Sequence, residues 1–167
     1  MSTEQEIIIR VENLTVAYDE TVIIDNISFD VHKGEVFVIL GGSGCGKSTL
    51  LKQMIGLYAP ASGRILIGGD DIVSAEGSDR LRILRKIGVM YQSGALFGSM
   101  TLFENVRLPL EEFTNLNSSA MDLIVLMKLK QVGLKGFENH MPSELSGGMQ
   151  KRAAIARAMV LDPQILF

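Results

Sequence analysis

One glycine-rich stretch constrains this chain more than any other feature of its sequence. Residues 41–49 fit the phosphate-binding pattern G-x-x-x-x-G-K-[S/T], and they are Gly41, Gly42, Ser43, Gly44, Cys45, Gly46, Lys47, Ser48 and Thr49. The apolar run at residues 36–40 before them is typical of a buried strand. Apolar residues at helical spacing follow them, namely Leu50, Leu51, Met54, Ile55 and Tyr58. Strand, glycine-rich loop and helix is the order that a phosphate-binding loop requires.

The residue types of this loop suit ATP and a magnesium ion. Glycine lets backbone N–H groups approach phosphate oxygens, and the helix that follows adds unpaired N–H donors with a partial positive charge. We expect Lys47 to reach the β- and γ-phosphates, Ser48 to bind Mg²⁺ and Thr49 to reach the α-phosphate. The alternative is a glycine-rich turn with a chance lysine. It is less favoured, because the pattern and its strand–helix context agree.

Composition and charge indicate a globular chain of one domain. The chain has 167 residues, of which 47% are hydrophobic, and its formal net charge of −3 argues against nucleic acid as the main partner. Cys45 is the only cysteine, so no internal disulfide can form, as is common in a reducing compartment. The polar N-terminus is unlike a signal peptide, and no apolar run reaches the length of about 18 residues that spans a bilayer. We therefore expect a cytoplasmic chain unless a partner holds it at a membrane.

Hydrophobic patterning predicts a β-rich first part and a helical second part. Predicted strands lie at residues 7–11, 14–18, 22–24, 27–31, 64–67 and 87–91, with a break or bulge at 12–13 and a turn at 19–20. Predicted helices lie at 79–86, 102–110, 119–132 and 149–161, and a strand begins at Gln164. Pro109 is expected to end the second helix. The helix at 119–132 is apolar on more than one face, so it is either buried or docked on another surface, and we favour burial.

A second motif lies at residues 145–150, which are Leu145, Ser146, Gly147, Gly148, Met149 and Gln150. Ser146 is a natural N-cap, and the two glycines after it expose N–H groups at a helix start, which suits an anion. Alone, this pattern indicates only an ordinary capped helix. Its meaning changes when it is combined with the phosphate-binding loop.

Together the two motifs resemble those of the ATP-binding-cassette (ABC) ATPases. In that family the P-loop is followed by a strand ending in Gln, here Gln92, by a helical insert, here residues 93–134, and by a Leu-Ser-Gly-Gly-Gln-type signature, here residues 145–150. An aromatic residue before the P-loop stacks on adenine in the family, and Tyr18 occupies that place. The resemblance implies an α/β fold: a P-loop NTPase core, with a mixed sheet around the P-loop helix, and an inserted helical subdomain. The implied limits are residues 1–92 for the core, 93–145 for the helical subdomain, and 146–167 for the signature helix and the next strand.

The resemblance also implies a mechanism and partners. Two copies pair head-to-tail, so that ATP lies between the P-loop of one copy and the signature of the other. The implied nucleotide contacts in the signature are Ser146, Gly147, Gly148, Met149 and Gln150. Lys47 and Gln92 are the implied catalytic residues, and Gln92 binds Mg²⁺ or the attacking water. The insert docks on an integral-membrane permease through residues 93–110, which places the chain at the inner membrane as a peripheral subunit.

A narrower resemblance links the chain to the ATPase subunits of Mla/Mce-type bacterial lipid transporters. Residues 91–97, 102–106 and 141–149 carry it, and Met149 stands where the signature usually has Gln. In that group ATP turnover is coupled to lipid movement between membranes.

The chain also departs from the ABC pattern. Gly42 stands where Pro is common and Cys45 where Ser is common, although both positions vary in the motif. In the family an apolar strand ends in an Asp that holds Mg²⁺, followed by a Glu that acts as the general base, and this sequence ends at Phe167 before both. We expect a fragment of a longer ATPase that does not hydrolyse ATP at a useful rate alone.

The sequence leaves three other functions open. The chain could be a nucleotide-binding module without catalysis, acting in regulation or structure. It could be a soluble ABC ATPase that works on DNA or ribosomes, but the chain has no basic surplus. It could be a P-loop kinase, but a kinase has no need for the Ser146-Gly147-Gly148 helix start.

Overall fold

The computed structural model describes residues 5–167. These residues form two compact units, one up to Leu84 and one from Arg85 to Phe167. The predicted domain limits at 92/93 and 145/146 stay predictions. Within the described residues, no helix combines the length and apolar character needed to cross a bilayer.

The first unit is built on a long β-hairpin. Strand β1 spans Ile7–Tyr18 and strand β2 spans Thr21–His32, and they pair antiparallel with Tyr18 opposite Thr21. Strand β3, Ser62–Ile67, pairs with the other edge of β1, and the short strand β4, Asp70–Asp71, pairs with β3. The sheet order is therefore β2-β1-β3-β4. Its buried face carries residues that alternate along β1 and β3, namely Val11, Leu14, Val16, Ile65 and Ile67.

The predicted break in β1 is confirmed as a bulge inside one strand. The register with β2 shifts between Val11 and Leu14, and Asn13 takes a left-handed conformation with φ 47°. Asparagine tolerates this conformation better than most residues do, so the strand bends here without ending. The four predicted strand segments in this part of the chain are therefore two continuous strands.

Helix α1 spans Lys47–Met54, directly after the glycine-rich loop. Its inner face buries Leu50 and Met54, as predicted, but the helix ends earlier than the predicted stop at Tyr58. Gly56 adopts φ 70°, and its N–H bonds to the carbonyl of Gln53 rather than continuing the helical pattern. A left-handed glycine of this kind ends a helix, and Tyr58 lies beyond it, half exposed.

The predicted strand at residues 36–40 is wrong. These residues form no strand, and Val36 and Leu40 are 89% and 85% exposed. The Phe37 ring stacks on Phe29 of β2, with centroids 5.1 Å apart. Apolar patterning reports local preference, whereas a strand also needs a neighbour that takes up its hydrogen bonds. In the part of the chain that the structure describes, these residues pair with no other strand.

The remaining short elements are helix α2, Gly77–Leu84, and strands β5, Ile87–Gly88, and β6, Ile165–Leu166. Strands β5 and β6 pair in parallel, and the ladder is extended by the Phe167 N–H donating to the Gly88 carbonyl over 2.8 Å. The prediction of a strand across residues 87–91 is therefore too long, since residues 89–91 are outside the strand.

Three helices build the core of the second unit. Helix α3 spans Leu102–Phe113, α4 spans Ser118–Gln131 and α5 spans Gly147–Ala158, with a 3₁₀ turn at Pro142–Glu144 before α5. The buried cluster between them contains Leu102, Val106, Leu110, Met121, Val125, Leu129, Leu134, Leu145, Ala153, Ala156 and Val160. Small alanines on α5 let the larger side chains of α3 and α4 approach it closely.

Pro109 does not end α3 as predicted. The helix continues to Phe113. Thr114 is its C-cap, and the Thr114 N–H donates to the Leu110 carbonyl. Proline inside a helix costs about 3 kcal/mol. Burial of Leu102, Val106 and Leu110 on one face, each gaining about 1.5–3 kcal/mol, outweighs that cost.

The prediction that α4 is buried holds for one of its faces only. Met121, Val125 and Leu129 are buried, whereas Leu123, Leu126 and Met127 are exposed by 70%, 42% and 46%. Residues three and four apart share a face of a helix, so each set forms its own stripe. The structure thus leaves an apolar stripe of α4 open.

Candidate functional site

The loop at residues 41–46 is shaped to receive an anion. Gly44 and Gly46 have φ 80° and 92°, a region that favours glycine, so the backbone can fold tightly before α1. Gly46 is the N-cap of α1 and has no side chain to satisfy the first N–H groups. The start of α1 therefore retains the unpaired donors and partial positive charge that bind a phosphate.

Lys47 spans the mouth of this loop. Its ammonium donates to the carbonyls of Gly41 and Gly42 over 2.8 and 2.6 Å, and lies 3.4 Å from the Cys45 sulfur. Neutral carbonyls are weak partners for an ammonium compared with phosphate oxygens. Lys47 can therefore exchange these bonds for a nucleotide without crossing the loop.

The other predicted loop residues lie on the exposed loop and in the first turn of α1. Ser48 lies exposed in the first turn of α1, and Thr49 beside it is half buried. Ser43 and the glycines before it are exposed. The hydroxyl of Ser48 is thus accessible as an oxygen ligand, the kind that Mg²⁺ prefers.

A cavity of about 280 Å³ borders the loop. It is lined by Cys45, Gly46 and Lys47 of the loop, together with Ile23, Ile24, Asp25, Ile27, Ile39, Leu40 and Leu50. A Cβ at Gly46 would come within 3.3 Å of Ile23, so only a small residue lets the loop rest on β2. Tyr18, predicted to stack on adenine, lies at the tip of the same hairpin and is 44% exposed. The loop amides, the Lys47 ammonium, the Ser48 hydroxyl and the apolar lining together suit a nucleotide with a magnesium ion.

Gln92 lies at the corner of a tight turn in the second unit. The Gly94 N–H donates to the Tyr91 carbonyl over 2.8 Å, which makes Gln92 and Ser93 the central residues of a β-turn. Gln92 is exposed, and with Tyr91 and Ser93 it lines an open depression. Its amide is therefore available to a metal-bound or attacking water.

The signature residues open α5 as predicted. Ser146 is the N-cap, and its hydroxyl accepts a hydrogen bond from the Met149 N–H over 3.3 Å. Gly147 and Gly148 are exposed, and a Cβ on either would meet nothing within 4 Å. The first N–H groups of a helix have no intrahelical acceptor, so these two exposed amides are open to an outside acceptor.

Two of the predicted signature contacts have their side chains engaged within the unit. The Gln150 amide donates to the carbonyls of Pro142 and Leu145 over 2.8 and 3.2 Å, which holds the turn before α5. Met149 packs against the helical core. Ser146, Gly147 and Gly148 are therefore the residues that face outward at this helix start.

Comparison with known families decides what kind of site this is. A family model described as ABC transporter matches residues 24–167, from β2 to the last residue. The chain belongs to the ABC transporter family. The predicted resemblance to ABC ATPases is thereby confirmed.

Two relatives of this ABC domain carry different names. The intermembrane phospholipid transport system ATP-binding protein MlaF of Haemophilus influenzae is 45% identical over 159 residues, covering 95% of this chain and 60% of MlaF. The probable ribonucleotide transport ATP-binding protein mkl of Mycobacterium leprae is 48% identical over 158 residues, covering 95% of this chain and 46% of mkl. The chain thus spans about half the length of these curated relatives. The predicted likeness to Mla-type ATPases is confirmed by the first of them.

Solved ABC structures confirm the α/β fold. The dimeric structure of MJ0796, described as a bacterial ABC transporter cassette, matches with a TM-score of 0.85 and 34% identity, covering 95% of this chain and 72% of that one. A dimeric post-hydrolysis state of the same cassette, bound to ADP and Pi, matches with a TM-score of 0.85 and 32% identity.

Sequence reasoning missed two residues that fix the backbone of the segment after Gln92. Asn105 of α3 is fully buried; its amide oxygen accepts from the Phe97 N–H, and its NH₂ group donates to the carbonyls of Phe97 and Met100. Arg157 of α5 donates to the carbonyls of Gly94 and Ala95. Burial lowers the pKa of Arg157, and Tyr91 nearby raises it in part. Both side chains bind backbone, and no spacing in the sequence signals such contacts.

Proposed function

We propose that this chain is the nucleotide-binding part of an ATPase that powers a membrane transporter of lipids. The observation that carries the proposal is the 45% identity to the phospholipid transport protein MlaF across 95% of this chain. The open phosphate-binding loop with Lys47 at its mouth supports the nucleotide half of the proposal. The proposal that lipids are transported rests on that relative and on the segments at residues 91–97, 102–106 and 141–149, which resemble Mla/Mce-type ATPases.

ATP and Mg²⁺ are the proposed cofactors. The glycine-rich loop and the start of α1 bind the phosphates, and Lys47 moves from the Gly41 and Gly42 carbonyls to the phosphate oxygens. Ser48 offers its hydroxyl to Mg²⁺, which when bound neutralises charge on the β- and γ-phosphates. Gln92 orients water at the metal, and Tyr18 stacks on adenine.

A second copy of the chain is the proposed nucleotide-dependent partner. The outward amides of Gly147 and Gly148, with Ser146 beside them, form an anion site at the start of α5. A polyphosphate held between this site and the P-loop of another copy joins two positive helix ends, and hydrolysis weakens the join. The matched cassettes are described as dimeric, which supports pairing of two copies; the head-to-tail arrangement is part of the proposal.

An integral-membrane permease is the proposed membrane partner. The segment at residues 93–110 offers an exposed loop whose backbone is fixed by Asn105, so it presents a constant surface to a partner. Through this contact the chain resides on the cytoplasmic side of the inner membrane as a peripheral subunit. The fixed loop costs little ordering entropy on docking.

The cargo has a second candidate, because mkl is named for ribonucleotide transport and is 48% identical. Phospholipid and ribonucleotide cargoes are distinguished by purifying the transporter with its permease and identifying the bound molecules by mass spectrometry. Bound phospholipid supports the proposal. Bound ribonucleotide in the permease, with no lipid, overturns the lipid half.

Nucleotide binding is tested with this chain and a fluorescent ATP analogue in Mg²⁺. We expect Lys47→Ala to weaken binding by at least about 100-fold, since charge-assisted contacts to two phosphates are lost and each contributes about 1.5–3 kcal/mol. Lys52→Ala is the matched control, because Lys52 lies on the same helix but its ammonium sits over the Tyr58 ring. Equal affinity in the wild type and Lys47→Ala, or absence of binding by the wild type, would refute the proposal.

A further inference from the structure

We propose that Arg157 is a positioning residue for Gln92, acting through the backbone of the turn that carries it. Arg157 is on α5, the helix that begins at the signature residue Ser146. The inference rests on the proposed function, in that Gln92 is taken to serve the nucleotide site. It adds to that function a physical link between Gln92 and the signature helix.

The two residues that follow the Gln92 turn have left-handed backbone conformations, one of which is unfavourable by itself. Gly94 and Ala95 follow the turn with φ 77° and 47°. Glycine adopts positive φ freely, but a Cβ makes the left-handed region costly, so Ala95 is strained. Such a residue persists only when its surroundings hold it, and the Ala95 side chain is exposed, so it gains little from packing.

Arg157 supplies the holding contacts. Its two terminal nitrogens donate to the carbonyls of Ala95 and Gly94, each over 2.9 Å, and its guanidinium lies 5.9 Å from the centre of the Phe97 ring. A guanidinium is planar and always charged, so it binds two adjacent carbonyls as a rigid fork. The fork therefore fixes the orientation of both peptide groups that follow the Gln92 turn.

Helix α5 also lies against the same turn, through the Ala154 side chain and the Gln150 backbone. A Cβ at Gly94 would lie 3.4 Å from the Ala154 Cβ and 3.6 Å from the Gln150 carbonyl, so the turn sits directly on the helix. The helix rises about 1.5 Å per residue, which puts Ser146 and Arg157 at opposite ends of one rigid rod. A displacement of the signature end of α5 is then transmitted to the Gln92 turn.

The same helix offers a matched control. Arg152 also donates from α5 to two successive carbonyls, those of Val132 and Gly133, over 2.8 and 3.1 Å. Those carbonyls follow α4 and do not belong to the Gln92 turn. Loss of Arg152 removes two arginine-to-carbonyl bonds from the same helix, both made by one nitrogen, and leaves the Gln92 turn intact.

The first test measures amide hydrogen exchange in the wild type, Arg157→Lys, Arg157→Met and Arg152→Met. The probe is the Gly94 N–H, which closes the turn. We expect exchange to accelerate on the order of tenfold in Arg157→Met and less in Arg157→Lys, with no change in Arg152→Met. Unchanged exchange in Arg157→Lys and Arg157→Met, or equal acceleration in Arg152→Met, would overturn the proposal.

A second variant pair remains informative if Arg157→Met does not fold. Ala95→Gly removes the strain that Arg157 is proposed to hold. Arg157→Lys should therefore accelerate Gly94 exchange less in the Ala95→Gly background than in the wild type. Equal acceleration in both backgrounds would show that Arg157 does not act through this turn.

The third test connects the turn to the nucleotide. Affinity for the ATP analogue is measured with and without Mg²⁺ in the wild type, Gln92→Ala and Arg157→Lys. We expect both variants to lose a similar share of the Mg²⁺-dependent gain in affinity, with unchanged affinity when Mg²⁺ is absent. A loss in Gln92→Ala alone would overturn the proposal. If the wild type binds no nucleotide, the proposed function fails, and the exchange result alone decides the role of Arg157.

Discussion

Lys128, on the inner face of α4, donates a hydrogen bond to the carboxylate of Asp162 in the turn that leads into β6. The two partners differ in their surroundings. Only 6% of the Lys128 side chain is exposed, against 80% for Asp162. The ion pair thus ties a buried cation of the helical core to the backbone that precedes the last strand.

Loss of the carboxylate should harm the fold more than loss of the lysine. Asp162 has φ 48°, which Asn also tolerates, so Asp162→Asn removes the charge and keeps the backbone. The variant leaves a nearly buried ammonium without a counter-ion, at a cost of about 1–3 kcal/mol. Lys128→Met removes the buried charge itself and should cost less. Urea unfolding measures both, and an equal or larger loss for Lys128→Met would contradict this account.

The two faces of α4 should respond differently to the same substitution. Leu129→Ala empties a fully buried site and should lower the free energy of unfolding by about 2–5 kcal/mol. Leu123→Ala, on the 70% exposed stripe, is the matched control and should change it by about 0.5 kcal/mol or less. Denaturant unfolding of the two variants measures both changes in the free energy of unfolding. Similar losses would mean that both faces of α4 are covered in solution.

The start of α3 should depend on pH through Glu104. The Thr101 N–H donates to the Glu104 carboxylate over 2.7 Å and, with the Thr101 hydroxyl, holds the pKa of Glu104 below its ordinary 4.5. The folded state therefore favours the ionised form. The stabilisation is present above pH 4.5 and is lost as the pH falls through the lowered folded value.

Glu104→Gln tests this dependence. We expect the variant to be less stable than the wild type at neutral pH, and the difference to shrink as the pH falls below 4.5. Glu112→Gln, on the same helix but outside the capping box, is the control. Thermal unfolding across this pH range measures the difference. A difference that grows on acidification would reverse the sign and reject the capping interaction.

Gly63 should be irreplaceable where β3 meets the β1 bulge. It has φ 94°, and a Cβ there would lie 2.6 Å from both the Asn13 carbonyl oxygen and the Leu14 Cα. Gly63→Ala should cost at least about 3 kcal/mol, because the backbone must move. Gly69→Ala, at φ 83° with nothing within 4 Å, should cost only about 1–2 kcal/mol for the conformation. Comparable melting temperatures for the two variants would exclude the steric clash.

The elements that sequence predicted well are those whose signal is local. The hairpin of β1 and β2 is marked by alternation and by turn residues such as Asp19, and α4 begins at an Asn117 cap within one residue of the prediction. The glycine-rich loop is marked by its pattern, since its chemistry needs glycine at fixed places. Side-chain roles at the site were assigned from the same pattern and remain predictions.

The predictions that were wrong or missing concern residues whose structure depends on a partner far away in the sequence. Residues 36–40 have strand preference but no neighbouring strand in the described chain. On α4 a lysine lies inside and leucines lie outside, because Asp162, 34 residues away, is present to pair with Lys128. Arg157 reaches carbonyls 62 and 63 residues away. The periodicity of apolar residues in a sequence does not reveal such long-range polar contacts.

The exposed segment at residues 36–40 has a consequence for how the chain behaves at high concentration. Val-Phe-Val-Ile-Leu combines high β-preference with no charge and no proline, and its backbone has no ladder within the described chain. Such segments pair readily with copies of themselves and can seed ordered aggregates. Self-association of this kind would occur beside the P-loop, so nucleotide titrations with this chain need a verified monomer, and a concentration-dependent loss of binding sites is the sign to look for.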